Sequence, residues 1–314
     1  MCTSITMTAQ NNSVLLARTM DFSFELDPEM SIFPRNYPLH FMHKKSILDT
    51  HYAFMGLSQD IGGRFLADGL NETGLAGAAL YFEGYASYEN SVQGDALAPH
   101  EVLMWALAQC EDVLEVKKMF TTHQIVAAEV DFIKNVPPLH WVFTDRSGAS
   151  IIVEPKKEGV MIYDNNLGVL TNSPDYPWHH TNVRNYIGVS PKQVESKEIY
   201  GEEFKPFGQG SGTFGIPGDF TPPSRFIRAL YAKLGIQTAK DDEELLVNAI
   251  HVLNQVDIPK GNVITPRNTL DYTQYTSYMN LSENKFYYRL YDALSIREIS
   301  LSAYDLDEKE VIIL

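Results

Sequence analysis

Apolar and polar positions roughly alternate over residues 3–8, Thr-Ser-Ile-Thr-Met-Thr, a period of two that predicts a β-strand. Gln10-Asn11-Asn12-Ser13 supplies turn chemistry, because Asn tolerates positive φ, and residues 14–19 are expected to return as the second strand. A three-residue loop at 10–12 sets Cys2 opposite Met20 and makes Arg18 a diagonal neighbour of Cys2. A two-residue loop sets Cys2 opposite Asp21 instead, and the pattern leaves both registers open. Further along, short strands are expected at 52–57 and 62–66. A turn at 68–75 leads into a small-residue strand at 76–82, whose Gly77, Ala78 and Ala79 call for close packing. Pro99 opens a helix to about Cys110, and a second helix follows over 111–120. A hairpin is expected over 139–144 and 149–154, then strands at 159–163 and 169–171, so the middle of the chain is antiparallel rather than βαβ.

Asn172-Ser173-Pro174 ends that last strand, and a short helix is expected over 176–186. Residues 190–221 are long and irregular, with Phe204, Phe207, Phe214 and Phe220 among glycines and prolines, a content that argues for a committed surface rather than plain disorder. Helices over 222–234 and 241–256 precede strands at 271–279, 285–290 and 297–303. Strands at both ends with paired helices between them predict an α+β protein, two antiparallel sheets face to face with helices outside. The 314 residues are expected to form one domain.

The net charge of −15 argues against nucleic-acid and anionic-membrane surfaces, which need clustered Lys and Arg. Apolar stretches such as 102–108 fall far short of the ~20 residues a membrane span needs. No basic region followed by an apolar block opens the chain, so a cytoplasmic location is expected. With two cysteines, Cys2 and Cys110, a disulfide framework is excluded, and Cys110 is expected as a buried thiol.

Cys2 directly follows Met1, and a residue that small in second place usually lets the Met be trimmed. The new terminus would then carry a thiol and an α-amine on one residue. The thiolate is the attacking form, and a nearby cation such as Arg18 favours it. An α-amine titrates near 7.7–8.0, so it can take the thiol proton and later hand it to a leaving amine, with Asp21 orienting the ammonium. The bland alternative is a buried strand Cys with an exposed Arg and a turn Asp; the hairpin-matched positions favour catalysis. Asn172 has an amide that can donate to an oxyanion. Arg225 stands at a helix start, where the dipole disfavours a cation, which points to a specific partner; Arg228, one turn on, competes for that place. Nine histidines show no HExxH or other metal spacing, and no phosphate-binding glycine pattern occurs, so neither a metal nor a cofactor is expected.

With Met-Cys-Thr-Ser, Arg18, Asp21, the Asn71–Leu75 turn, Thr171-Asn172-Ser173-Pro174, Gly215-x-Pro217-Gly218-Asp219-Phe220 and Ser224-Arg225-Phe226 together, the whole chain resembles the choloylglycine hydrolase family of N-terminal-nucleophile amidases. The resemblance implies a four-layer αββα sandwich, exposure of Cys2 at the terminus and hydrolysis of a linear amide. It implies Cys2 as nucleophile and base, supported by Arg18 and Asp21, with Asn172 and the backbone N–H at Tyr81 as oxyanion donors and Arg225 holding the site. Met20, Phe24 and Tyr81 are expected to bind substrate. The family includes penicillin V acylases, which tend to carry Tyr at position 81, and bile salt hydrolases, which tend to carry Asn. Tyr81 therefore tilts the expectation toward release of phenoxyacetate and 6-aminopenicillanate. Bile salt hydrolysis is the alternative, N-acyl-homoserine lactone cleavage a third, and a catalytically silent small-molecule binding protein the non-enzyme rival. A homotetramer assembled through 190–221 is also implied.

Overall fold

The computed structural model describes residues 1–44, 47–60, 63–131 and 133–314. Its amino-terminal hairpin chooses the three-residue loop: Ala9 N donates to Ser13 O at 2.9 Å and Asn12 takes φ 67°. Cys2 accordingly pairs with Met20 and Ser4 with Arg18. The hairpin forms two strands of a six-stranded antiparallel sheet, in the order Val169–Leu170, Cys2–Thr8, Val14–Phe22, Tyr272–Asn280, Lys285–Leu290, Arg297–Ser300. A second, eight-stranded sheet runs Gly159–Asp164, Ser150–Lys156, Leu139–Thr144, Ala76–Tyr81, Arg64–Asn71, Phe54–Asp60, Glu29–Phe33, Ile312–Ile313.

Helices Pro222–Gly235 and Asp242–Leu253 pack on the outer face of the first sheet, and Val102–Gln109 and Val113–Thr122 on that of the second. The inner faces meet, giving the four αββα layers. Strand Cys2–Thr8 is therefore covered on both sides. Thr6 Oγ1 lies 3.0 Å from Thr144 Oγ1 across the gap between sheets, while Thr3, one pleat over, faces Arg225 of helix Pro222–Gly235. Gly77 is small for the reason expected: a Cβ there would come within 2.7 Å of both Leu103 and Phe143, which press helix Val102–Gln109 onto the sheet.

One expected turn is misplaced. Asp68-Gly69 is not a turn but the interior of strand Arg64–Asn71. The chain reverses only at Glu72–Gly74, where Asn71 Oδ1 accepts from Thr73 N and Leu75 N. The glycines there serve close strand contact: a Cβ at Gly56 would sit 2.1 Å from Asp68 O. Gly62, where the preceding strand was expected to begin, lies outside the described residues. Within 190–221, Lys197–Ile199 and Glu202–Phe204 form a small exposed hairpin inside otherwise irregular chain. Among the described residues no helix is long and apolar enough to cross a membrane.

Candidate active site

The diagonal expected from the hairpin is present. Arg18 Nη2 donates to Cys2 Sγ at 2.7 Å, both residues lying between the sheets. The rest of the guanidinium is fully engaged: Nε donates to Thr19 O, Nη1 to Asp68 Oδ2 at 2.9 Å and Tyr275 Oη at 3.4 Å, and Nη2 also to Ala79 O at 3.5 Å. Tyr275 Oη donates to the same Asp68 oxygen at 2.8 Å. Burial works against the Arg18 charge, but the Cys2 sulfur, Tyr275 and Asp68 overcome it and raise its pKa. For Asp68, burial pushes the carboxyl up while Arg18 pulls it back.

On the other face of the same strand, Arg225 is fully buried and reaches inward. Its Nη1 donates to Cys2 O and Thr3 Oγ1, each at 2.6 Å, and its Nη2 to Asn172 Oδ1 at 2.6 Å. Guanidinium nitrogens only donate, so the Asn172 atom facing Arg225 must be the oxygen. That oxygen also accepts from Cys2 N at 2.9 Å, and Nδ2 is left to donate to Tyr81 O at 2.7 Å. Arg228 points elsewhere, to the carbonyls of Pro217, Asp219 and Gln255. Asp21 completes the group: it is buried, accepts from Thr273 Oγ1 at 2.6 Å and Thr19 Oγ1 at 3.2 Å, and stands 3.7 Å from Arg225 Nη1. Burial raises its pKa, opposed by Arg225 and then by the amino-terminal ammonium. With Met1 in place, that ammonium donates to Asp21 O at 2.5 Å and faces Asp271 at 3.5 Å.

Tyr81 offers its backbone to this cluster. Leu139, its cross-strand partner, spends its N–H on Tyr88 Oη, and Tyr81 O is taken by Asn172. The Tyr81–Leu139 pair is thus the non-hydrogen-bonded kind, whose N–H and C=O groups point away from the partner strand. The Tyr81 N–H therefore faces the side occupied by Asn172. Among the described residues no three His, Cys, Asp or Glu side chains are grouped to hold a metal ion.

A profile described as "Linear amide C-N hydrolases, choloylglycine hydrolase family" matches residues 2–314. The chain belongs to this family. It is an enzyme of that class, a linear amide C–N hydrolase. It is 35% identical over 316 residues to a bile salt hydrolase/transferase of Clostridium perfringens, covering 99% of this chain and 95% of the relative. It superposes on a crystal structure of the conjugated bile acid hydrolase (mutant C2A) of the same organism with TM-score 0.93 and 33% identity, covering 100% and 96%. A penicillin V acylase of Agrobacterium tumefaciens matches with TM-score 0.80, 22% identity and 99% and 90% coverage, which shows a shared fold.

In this hydrolase the Cys2 thiol lines a cavity of about 170 Å³. Its walls are almost wholly apolar, with Met20, Phe22, Leu66, Tyr81, Leu103 and Trp141 among them. Met20 and Tyr81 line it as expected. Phe24 does not. Strand Val14–Phe22 ends at Phe22, so the alternation that points Met20 and Phe22 inward stops there, and the Phe24 ring backs Phe22 at 5.7 Å. Sequence reasoning missed Asp68, Tyr275 and Thr273, which hold Arg18 and Asp21. It also passed over His140 and His179, whose Nε2–H groups donate to Thr171 O and Asn172 O and fix the strand end that carries the amide. Cys110 is a free buried thiol, pushed up to about 12 by burial.

Proposed function

We propose that this hydrolase cleaves conjugated bile salts, releasing the steroid acid and glycine or taurine. The observation that carries the reading is a thiol held by Arg18 in the wall of an apolar cavity, in a chain 35% identical over nearly its full length to a protein described as a bile salt hydrolase/transferase. The acyl side of the substrate then fills the apolar cavity, and the polar amine side stays toward solvent.

Removal of Met1 turns the Cys2 N–H, now a peptide amide bonded to Asn172 Oδ1, into an amine at the same place. The amine takes the thiol proton, the sulfur attacks the amide carbon, and the oxyanion is held by Asn172 Nδ2 and the Tyr81 N–H. Collapse breaks the C–N bond as the ammonium protonates the departing nitrogen. The amine then takes a proton from water, whose oxygen attacks the thioester and frees the acid and the thiol. Asp21 and Arg225 position this apparatus rather than react.

One observation favours a second substrate. The Tyr81 ring meets Phe22 edge-on at 5.6 Å and offers a rigid aromatic wall, which suits the phenoxyacetyl group of penicillin V. The expectation from position 81 alone put penicillin V first, whereas the likeness to the relative and the superposed hydrolase of C. perfringens supports bile salts. Initial rates on glycocholate and phenoxymethylpenicillin, for wild type and Cys2→Ala, decide the order. Faster glycocholate cleavage supports the bile-salt reading, and a wide margin for the penicillin overturns it. Turnover of neither substrate by wild type would overturn both substrate readings. The exposed Phe204, Phe207 and Phe214 support assembly into a homotetramer through residues 190–221, testable by light scattering on eluting protein.

A further inference from the structure

The apolar cavity accounts for the acyl half of an amide, and nothing above accounts for the half that departs. A cation stands on the outer side of the cavity's aromatic wall. Arg267 lies in a tight turn closed by Thr265 N donating to Thr269 O at 2.9 Å, with Asn268 at φ 62°. Its guanidinium lies over the Phe24 ring, 5.0 Å from the centroid, and donates to Ser23 Oγ at 3.5 Å. Phe24 abuts Phe22, and Phe22 meets Tyr81, so Arg267 is stacked on the outer end of an aromatic row whose inner members line the cavity. Its charge reaches that far: burial and then Glu83 raise the Tyr81 phenol, and Arg267 opposes them.

Among the described residues Arg267 makes no salt bridge, whereas Lys260 is held by Glu25, the residue after Phe24, at 3.3 Å. An arginine pinned on an aromatic face, beside a reactive cavity and without a carboxylate, is prepared for an anion from outside. Both substrates considered above carry one on the amine side, a carboxylate or sulfonate in the bile conjugates and a carboxylate in the penicillin nucleus.

We propose that Arg267 binds the anionic group of the departing amine and so selects amides of amino acids and related acids over amides of neutral amines. The assignment rests on the amidase reading. It also gives Phe24 a part in substrate binding, as the support of Arg267 rather than a wall of the cavity.

The test uses two pairs of substrates that differ only in this charge: cholylglycine against cholylglycinamide, and phenoxyacetylglycine against phenoxyacetylglycinamide. Each is assayed with wild type, Arg267→Gln and Arg267→Lys. Arg267→Gln should raise KM for the glycine compounds about fivefold, the upper range for an exposed charge pair, with kcat and both glycinamide parameters unchanged. Arg267→Lys should recover part of the loss, and added salt should narrow the wild-type preference. Equal KM for glycine and glycinamide in wild type, or an equal rise for both in Arg267→Gln, overturns the assignment while the amidase reading stands. A wild type that cleaves none of the four overturns both.

Discussion

Asp68→Asn isolates the contact that holds the guanidinium against the nucleophile. Arg18 and Asp68 are both fully buried, 2.9 Å apart. At an effective dielectric of ~20 their attraction is about 6 kcal/mol, offset by several kcal/mol for taking each ion out of water. The intact pair therefore adds little net stability, but breaking it is a different matter. Asparagine keeps the shape and one acceptor yet leaves Arg18 charged and buried without its carboxylate, at a cost of about 3–5 kcal/mol. Arg18→Met should lose a similar amount by stranding Asp68. Arg18→Met combined with Asp68→Asn removes both charges and should recover much of the loss, so the two single effects must not add. Urea denaturation of the four proteins gives the cycle. A coupling of about 2 kcal/mol or more is expected. Additive losses, or an Asp68→Asn protein within about 1 kcal/mol of wild type, would refute the claim that Arg18 is held by this carboxylate.

Asn172→Ala removes one proposed oxyanion donor and should lower kcat about 100- to 1000-fold; a loss under tenfold in steady-state turnover would remove Asn172 from that role. Arg225→Met strands buried Asp21 and should cost about 3 kcal/mol or more in denaturant midpoint, while Arg228→Met, whose head group bonds only carbonyls at the loop and helix ends, should cost far less. His179 is fully buried against Phe226, and burial lowers its pKa from 6.5 to about 4. Because the folded value lies below the unfolded one, its neutral ring contributes stability above pH 6.5 that is lost as the pH falls toward 4, about 3 kcal/mol in all. His179→Gln should flatten that acid limb in urea midpoints taken between pH 7 and 4.5; parallel limbs for the two proteins would contradict it.

What was legible in the sequence was local. Cys2, Arg18 and Asp21 share one hairpin, so a period-two pattern and a turn rich in Asn placed them together before any long-range contact was known. The helix starts at Pro99 and Pro222 and the hairpin around Asp145 carry their own punctuation, and those elements form within a few residues of expectation. Asp68 was hidden because Asp-Gly looks like a turn, and its partner lies 50 residues away on the opposite sheet. Local propensity cannot report a carboxylate that exists to meet a guanidinium across the core. Tyr275 and Thr273 were missed for the same reason, since strand Tyr272–Asn280 joins the hairpin from the far end of the chain. Position 225 could be singled out by its unfavourable place on the helix dipole, but choosing it over 228 needed the packing of that helix against strand Cys2–Thr8.

The central claim is that Cys2 supplies both the sulfur that takes the acyl group and the amine that carries the proton. It is tested most directly by quenching the enzyme in acid during turnover of its better substrate and measuring the amino-terminal peptide by mass spectrometry. The account predicts a peptide that begins at Cys2, lacks Met1 and carries the acyl group as a hydroxylamine-labile thioester. An acyl group on any other residue, or a chain retaining Met1 that turns over as fast as the trimmed one, would contradict it.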